Sequence, residues 1–349
     1  MKILYIGDLD KGGTCHSRYS ALKELEDDLF TLDANETLGW HHLSRIRRFL
    51  ERYTLKGPTV RSANEELLVL IEKDKPDLIW IDTNFWISEK TLKKIKEKNI
   101  ILVQYTTDAF FPKNMKLYIS RRNMRKTLKY FDFLITTNPH DYDYFISQSD
   151  YRNIKFISSK NGYDSVRFSD DKKNDGEKFK NQLVFIGHHE PSTEKMVLSI
   201  IKNKLPLTLY GNHHWKNTKA AKLLGNQFNN SLLDLDYEEA LRQADIALCF
   251  VSQWNYNETA GRTFEITKSG TFLLAQRTNE HTACFREGEE AEFFGSEEEL
   301  INKIKYYLKE TEKRELIAQK GLNRCKISGY SWQDNIIRDW GVIKKKLKQ

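Results

Sequence analysis

Glu258, Arg262 and Glu265 fall in one short run, Glu258-Thr-Ala-Gly-Arg262-Thr263-Phe264-Glu265. The run favours helix, stops at Gly270 and passes at once into the apolar Phe272-Leu-Leu274-Ala275. Helix, glycine stop and buried strand make the αβ step of a parallel sheet, with glycine as the C-terminal cap. The start of such a helix offers free N–H groups and the positive end of its dipole to a phosphate. Arg262, beside Thr263 at the helix start, can neutralise a diphosphate. Glu265, about one turn on, can accept hydrogen bonds from ribose hydroxyls, as acidic residues do in dinucleotide folds. An ordinary crossover helix with a surface ion pair between Arg262 and Glu265 would carry the same letters.

Other candidates stand at the ends of apolar runs. In open parallel sheets ligands sit outside the carboxyl ends of the strands; the loop 251–258, after an apolar run at 246–250, lies there. Gly7-Asp8-Leu-Asp10-Lys-Gly12-Gly13-Thr14 follows the first strand and precedes a helix. Gly12 and Gly13 permit close backbone approach to a ligand, although the pattern is neither a P-loop nor GxGxxG. Asp108, flanked by aromatics after the run 100–104, can bind hydroxyls or act as a base, and can equally cap the next turn. His16 is a second candidate base. Gly187-His188 and Tyr210-Gly211-Asn212 end two strands of the second half, and Gly211 and Asn212 can approach a nucleotide base. No metal site is expected. The adjacent histidines at 188–189 and 213–214 point apart on one strand or loop, with no acidic ligands clustered near them. Asp141-Tyr-Asp143 and Asp234-Leu-Asp236 have the letters of a DxD motif but stand at or before helix starts.

These groups need a scaffold, and the chain supplies an alternating one. Apolar strand runs at 3–6, 29–32, 78–81, 100–104, 133–136 and 154–157 are separated by helical patterns, among them 65–73, 88–96, 116–130 and 139–147. The scheme continues with strands at 183–186, 207–210, 246–250 and 271–274 and a helical patch at 237–243. Strands alternating with helices of this length predict βαβ units and parallel sheets, hence an α/β fold. At 349 residues the chain exceeds one average domain. Asn161-Gly162 is a turn dipeptide, and the polar stretch 169–181 after it reads as a linker. The expected domains are therefore 1–160 and 161–330. A final helix at 331–349 is capped by Ser331, with Asp334 three residues on.

The order Ala244-Asp245-Ile-Ala-Leu, Ser252, Glu258, Arg262, Phe264-Glu265, Gly270 and Phe272-Leu-Leu274-Ala275 resembles the donor-binding half of the group 1 glycosyltransferases. It is closest to the spore-maturation-protein-like (CgeB-type) subgroup. Lys160-Asn161-Gly162-Tyr-Asp164-Ser-Val-Arg-Phe168 is similar to the interdomain segment of that family. The resemblance covers about residues 154–325, and the first half only in architecture. It implies a GT-B arrangement, two Rossmann-like parallel-sheet domains facing across a cleft. The C-terminal domain would hold a nucleoside-diphosphate sugar, the N-terminal one the acceptor, and the last helix would return to the N-terminal domain. Glu258 would then contact the donor sugar and Glu265 the ribose, although six residues separate them where the family pattern has seven. His188 stands where a basic residue is expected and Lys195 matches a second; both would face the diphosphate. Gly12 and Gly13 match a glycine-rich loop facing donor phosphates or acceptor. Arg262, Lys195 and the helix start at Thr263 would balance charge on the leaving diphosphate without a metal or other cofactor. Retention of anomeric configuration is suggested. A sugar-nucleotide epimerase of the same fold and a non-catalytic nucleotide- or glycan-binding relative are the alternatives.

Composition narrows the partners. Charged residues make up 30% and hydrophobic ones 39%, and no apolar run approaches the length of a bilayer span. Neither a signal peptide nor a disulfide framework is read from the N-terminus or the four scattered cysteines, so a reduced, cytoplasmic protein is expected. The net charge of +7 concentrates at 45–52, 121–126 and 344–348. Without a nucleic-acid-binding signature, these clusters are solvated helix faces or a weak peripheral contact with an anionic membrane, on its inner face. The acceptor is expected to be a cell-envelope or other glycan, lipid-linked or carried on protein.

Overall fold

The computed structural model describes residues 1–169 and 177–348. Most of the 169–181 linker therefore lies outside the described residues. The chain divides into two units, one of Met1–Lys160, Trp254–Asn257 and Gln333–Gln349, the other of Asn161–Gln253 and Glu258–Trp332.

In the first unit β1 (Ile3–Gly7), β2 (Leu29–Asp33), β3 (Leu78–Asp82), β4 (Ile101–Thr106), β5 (Phe133–Thr136) and β6 (Lys155–Ser158) form a parallel sheet. Its strand order is β2-β1-β3-β4-β5-β6. Between the strands run α1 (Thr14–Leu25), α2 (Ala34–Leu38), α3 (Arg45–Thr54), α4 (Pro58–Asp74), α5 (Glu89–Lys96), α6 (Met115–Ser120), α7 (Arg122–Thr127) and α8 (Pro139–Ser147). Alternation along the strands makes two faces. Leu4, Ile6, Ile79, Ile81 and Leu102 pack against Val60, Ala63 and Leu67 of α4 and Leu92 and Ile95 of α5. Tyr5, Trp80 and Tyr105 stack on the other face.

The second unit holds β7 (Asn181–Gly187), β8 (Leu207–Gly211), β9 (Phe228–Asn230), β10 (Ala244–Cys249), β11 (Phe272–Gln276) and β12 (Glu292–Phe294). Its helices are α9 (Pro191–Lys202), α10 (Lys219–Leu224), α11 (Asp234–Arg242), α12 (Gly261–Lys268), α13 (Asn279–Cys284), α14 (Glu297–Tyr307) and α15 (Thr311–Ser328). The sheet is parallel, in the order β12-β11-β10-β7-β8-β9. Val184 and Ile186 face Phe264 and Leu241 on one side, and Leu183 and Phe185 face Val197 and Ile200 on the other. α16 (Trp332–Leu347) follows, and from Gln333 it belongs to the first unit, with Trp340 edge-on to Trp80 at 6.4 Å. No helix among the described residues is long and apolar enough to cross a membrane.

The α/β class and both Rossmann-like sheets agree with the sequence pattern. Two local expectations need correction, and two short strands were not expected. The helix expected over 116–130 is broken at Arg121, whose guanidinium turns inward to Asp108 Oδ1 (2.6 Å), Ala109 O (2.7 Å) and Asn255 Oδ1 (2.6 Å). The helix expected from 65 begins at Pro58, whose missing N–H costs nothing at a first helical position; the buried Glu51 carboxylate accepts the Val60 amide at 3.3 Å. The edge strands β9 and β12 have only three residues each, too few to show a period.

Behind the β1 and β3 ends sits an ion pair that the sequence did not announce. Arg18 Nε and Nη2 donate to Asp82 Oδ2 (2.6 Å) and Oδ1 (2.9 Å), and Tyr5 Oη donates to Oδ2 at 2.8 Å. Both partners are buried, and the guanidinium lies 4.7 Å from the Tyr105 ring centre. Removing one member of a buried pair leaves an uncompensated charge, whereas replacing both by apolar groups is often neutral. Asp82→Asn should therefore lower unfolding free energy by about 3–5 kcal/mol, and Arg18→Met with Asp82→Leu should recover most of the loss. Urea titration of the three proteins checks this; a double variant worse than the single one would contradict it.

Candidate nucleotide-binding site

In the second unit β7 is flanked by β8 on one side and β10 on the other, so the strand order reverses between β7 and β10. A crevice opens outside the carboxyl ends of the strands at such a reversal. Gly187 ends β7, Gly211 ends β8 opposite it, and α12 begins after the loop 250–260 that follows β10. A Cβ at Gly187 would lie 2.7 Å from Nη2 of Arg262, and one at Gly211 would lie 2.2 Å from Cδ1 of Trp215. Both positions therefore exclude any larger residue without movement of those side chains. The Trp215 indole is fully buried and donates to Gly187 O at 2.9 Å, fixing the floor under both strand ends. Trp215 is one of the residues that the sequence reading missed; its only signal was an aromatic closing the loop that opens with Gly211-Asn212.

Arg262 stands at the second position of α12, its guanidinium 5.3 Å from the Phe185 ring centre. Among the described residues it has no carboxylate partner, and its buried Nε makes no hydrogen bond. The surface ion pair with Glu265 that the sequence allowed is not formed. The amides of Gly261 and Arg262 have no intrahelical acceptor by position. His188 completes the group. Asn212 Oδ1 accepts the His214 amide at 3.2 Å, so its Nδ2 donates to His188 Nδ1 at 2.7 Å. That places the ring proton on Nε2, where it can be donated onward. Burial first, then the charges of Arg262 and His214, depress the His188 pKa, which favours the neutral ring.

Glu265, one turn into α12, accepts a hydrogen bond from the buried Tyr237 hydroxyl of α11 at 2.6 Å. Burial raises its pKa, opposed by that bond and by the nearby Arg167 and Arg262. Gly270, at φ +74°, ends the helix as expected. Asn161 Nδ2 donates to Thr259 O and Oγ1, both at 3.2 Å, tying the boundary segment to the approach of α12.

Two expected donor contacts are corrected. Thr263 is fully buried: its amide donates to Ala260 O (3.0 Å), and its Oγ1 accepts the Ala260 amide (3.2 Å) and meets His281 Nε2 (2.8 Å). It shapes the helix start and has no group left for a ligand. Lys195 is exposed on α9 and held by Glu297 Oε1 at 2.6 Å rather than directed at Arg262. Glu258 is already engaged, its Oε2 accepting the Glu280 amide at the start of α13 at 3.0 Å.

The remaining candidates belong to the first unit. Asp108 is bound by Arg121, and His16 on α1 lies edge-on to Tyr19 at 6.2 Å. Gly12 has φ +83° and Gly13 precedes α1. Asp141 lies inside α8 and Asp234 and Asp236 open α11, with Asp236 paired to Lys178. No group of three His, Cys, Asp or Glu side chains among the described residues is arranged to hold a metal ion.

Residues 192–338 match the protein family described as Glycosyl transferase-like. The second unit carries a glycosyltransferase-like region. A search of curated proteins gave no match. Among solved structures the chain is similar to HepE of Anabaena in complex with UDP-glucose, at 14% identity, covering 99% of this chain and 100% of that one, with TM-score 0.68. It is also similar to sucrose-phosphate synthase of Thermosynechococcus elongatus, at 12% identity over 100% of both chains and TM-score 0.69. A putative UDP-N-acetylglucosamine 2-epimerase of Listeria monocytogenes shares the fold at 14% identity and TM-score 0.57, over 100% of this chain and 97% of that one. The likeness to these solved structures, at 12–14% identity, is one of fold.

The burial of His281 behind Thr263 makes folding stability pH-sensitive. His281 Nδ1 donates to Gln276 O at 2.7 Å, so Nε2 accepts from Thr263, and burial pushes the imidazole pKa down to about 4 from 6.5. The folded protein holds His281 neutral while the unfolded chain protonates it from 6.5 downward. This contribution is present above pH 6.5 and is lost as pH falls to about 4, at up to about 1.4 kcal/mol per pH unit. Urea unfolding across that window should show this slope in the parent protein and a shallower one in His281→Asn; identical slopes would refute the assignment.

Proposed function

We propose that this protein transfers a sugar from a nucleoside-diphosphate sugar to an acceptor hydroxyl, as a group 1 enzyme of the CgeB-type subgroup. The observation that carries this reading is the guanidinium of Arg262, which lacks a carboxylate partner at a helix start outside the β7–β10 reversal. An anion is the missing partner there, and a diphosphate has the charge and reach to meet Arg262, the first amides of α12 and His188 Nε2 together. Glu265, oriented by Tyr237, accepts the ribose hydroxyls, and Gly211 and Asn212 border the base. That HepE of Anabaena was solved with UDP-glucose supports the choice of UDP as the first nucleotide to test.

Cleavage of the bond between the anomeric carbon and the phosphate oxygen puts charge on the leaving diphosphate. Arg262, the two amides and the imidazole N–H are fixed before that charge develops, so little reorganisation accompanies it. Turnover without a metal ion follows from this arrangement and is part of the proposal. Asp108 and His16 are proposed to face the acceptor, a cell-envelope or other glycan, lipid-linked or on protein, at the inner side of an anionic membrane. Glu258 is proposed to contact the donor sugar from its place at α13.

Labelled UDP-sugars incubated with the protein test the reading: transfer or slow hydrolysis with release of UDP supports it. An epimerised UDP-sugar would replace it with the epimerase reading, and no reaction with any donor and acceptor panel would leave a binding protein. Two further outcomes are expected. Glu265→Gln should weaken UDP binding in calorimetry by about 1–3 kcal/mol, the range for a hydrogen bond to a charged group; an unchanged affinity removes Glu265 from the site. Activity should survive EDTA, and a loss restored by Mn²⁺ would refute metal independence.

A further inference from the structure

The first unit carries a helix with its faces reversed. In α3 the apolar residues Ile46, Phe49, Leu50 and Tyr53 recur at i, i+3, i+4 and i+7, the spacing of one helical face. A helix of a folded domain normally turns such a face inward. Here Ile46, Phe49 and Leu50 are 75%, 59% and 52% exposed, and the side chain buried instead is Glu51. Glu51 has a reason to be inside: it accepts from Arg47 Nε (3.0 Å), Thr59 Oγ1 (3.3 Å) and the Val60 amide (3.3 Å), securing the start of α4. The neighbouring α6 repeats the pattern, with Met115, Tyr118 and Ile119 exposed at i, i+3 and i+4.

Positive charge surrounds this apolar surface. Arg45, Arg48 and Arg52 are exposed on α3. Between α3, α5, α6 and α7 lies a cavity of about 650 Å³ lined by Arg52, Lys56, Lys90, Lys93, Arg122 and Lys126. The one carboxylate lining it, Glu89, is taken by Lys126 (2.5 Å) and Lys129 (2.8 Å). Of the other two basic clusters, 121–126 adds only Arg122 and Lys126, and 344–348 adds nothing. Arg121 and Arg125 are committed to carbonyl and carboxylate partners inside the unit. Lys344 pairs with Glu26, and Trp340 holds α16 to the Trp80 face of the sheet, opposite the face covered by α4 and α5.

We propose that α3 and α6 form a docking surface for an anionic lipid bilayer. The apolar stripe enters the interfacial layer and the basic cavity receives lipid phosphates. An amphipathic helix with Phe and Leu on one face and arginines beside it fits that environment. Charge complementarity selects anionic lipid over a second copy of this basic surface, which would repel its own kind. The proposal sharpens the membrane contact named under the proposed function and rests on that reading for its purpose, but not for its test. Because apolar insertion contributes, high salt should weaken binding without abolishing it, unlike a purely electrostatic contact.

Sedimentation of the full chain with phosphatidylcholine vesicles, with and without phosphatidylglycerol, is the experiment. Recovery is expected on the anionic vesicles only, with a residue retained at high salt. Phe49→Glu with Leu50→Glu should cut it about tenfold, while Lys345→Glu with Lys346→Glu should leave it unchanged. Both exposed pairs should keep the parent melting temperature and UDP affinity, so loss of docking is separable from loss of fold or of donor binding. Equal recovery for the parent and the α3 variant, or none for the parent on either vesicle, would overturn the proposal. So would light scattering that shows the α3 variant turning a dimer into a monomer, since a second copy would then cover the stripe. Vesicle binding in a protein that turns over no nucleotide sugar would leave the docking surface standing and remove only the enzymatic reading.

Discussion

The guanidinium of Arg262 lies against the end of β7, where a side chain at Gly187 would begin. That one contact constrains much of the second unit. It requires glycine at the strand end, a Phe185 ring beside the guanidinium, and a helix start aimed at the same point. Trp215 then closes the space under Gly187 and Gly211. Thr263 and His281 hold the first turn of α12 from behind. A cation without a buried carboxylate partner is costly unless water or a ligand reaches it. The chain keeps this one at a sheet reversal, whereas Arg18, of the same type, is neutralised by Asp82. The two arginines differ in this: Arg18 is paired inside the fold, and Arg262 is the one that the proposed function assigns to a ligand.

Much of the architecture was legible because period and length carry it. Strands such as 133–136 and helices such as 139–147 coincide with the observed elements. Errors arose where a tertiary contact outweighed local preference. Arg121 breaks a continuous helical pattern because its side chain gains three partners by turning inward. α3, for which no buried face was expected, likewise turns Glu51 inward to the start of α4. Neither reason exists within the segment itself.

The site was legible in part for a similar reason. Arg262, Glu265, Gly187, His188, Gly211 and Asn212 could be named because strand ends and helix starts are visible in sequence, and the structure gathers them in one unit. Thr263 and Lys195 stand at the right chain positions but face the wrong way, one into the core and one to Glu297. Side-chain direction depends on which neighbour offers the better partner. Tyr237 and Trp215 come from other elements and had no motif to mark them.

The central claim is that Arg262 meets the diphosphate of a bound nucleotide. The most direct measurement is calorimetric comparison of UDP and uridine binding to the parent protein and to Arg262→Gln. The parent should prefer UDP strongly, and the variant should lose most of that preference while its weak affinity for uridine stays the same. Equal affinity of the parent for UDP and uridine, or a variant that keeps the full preference, would contradict the account.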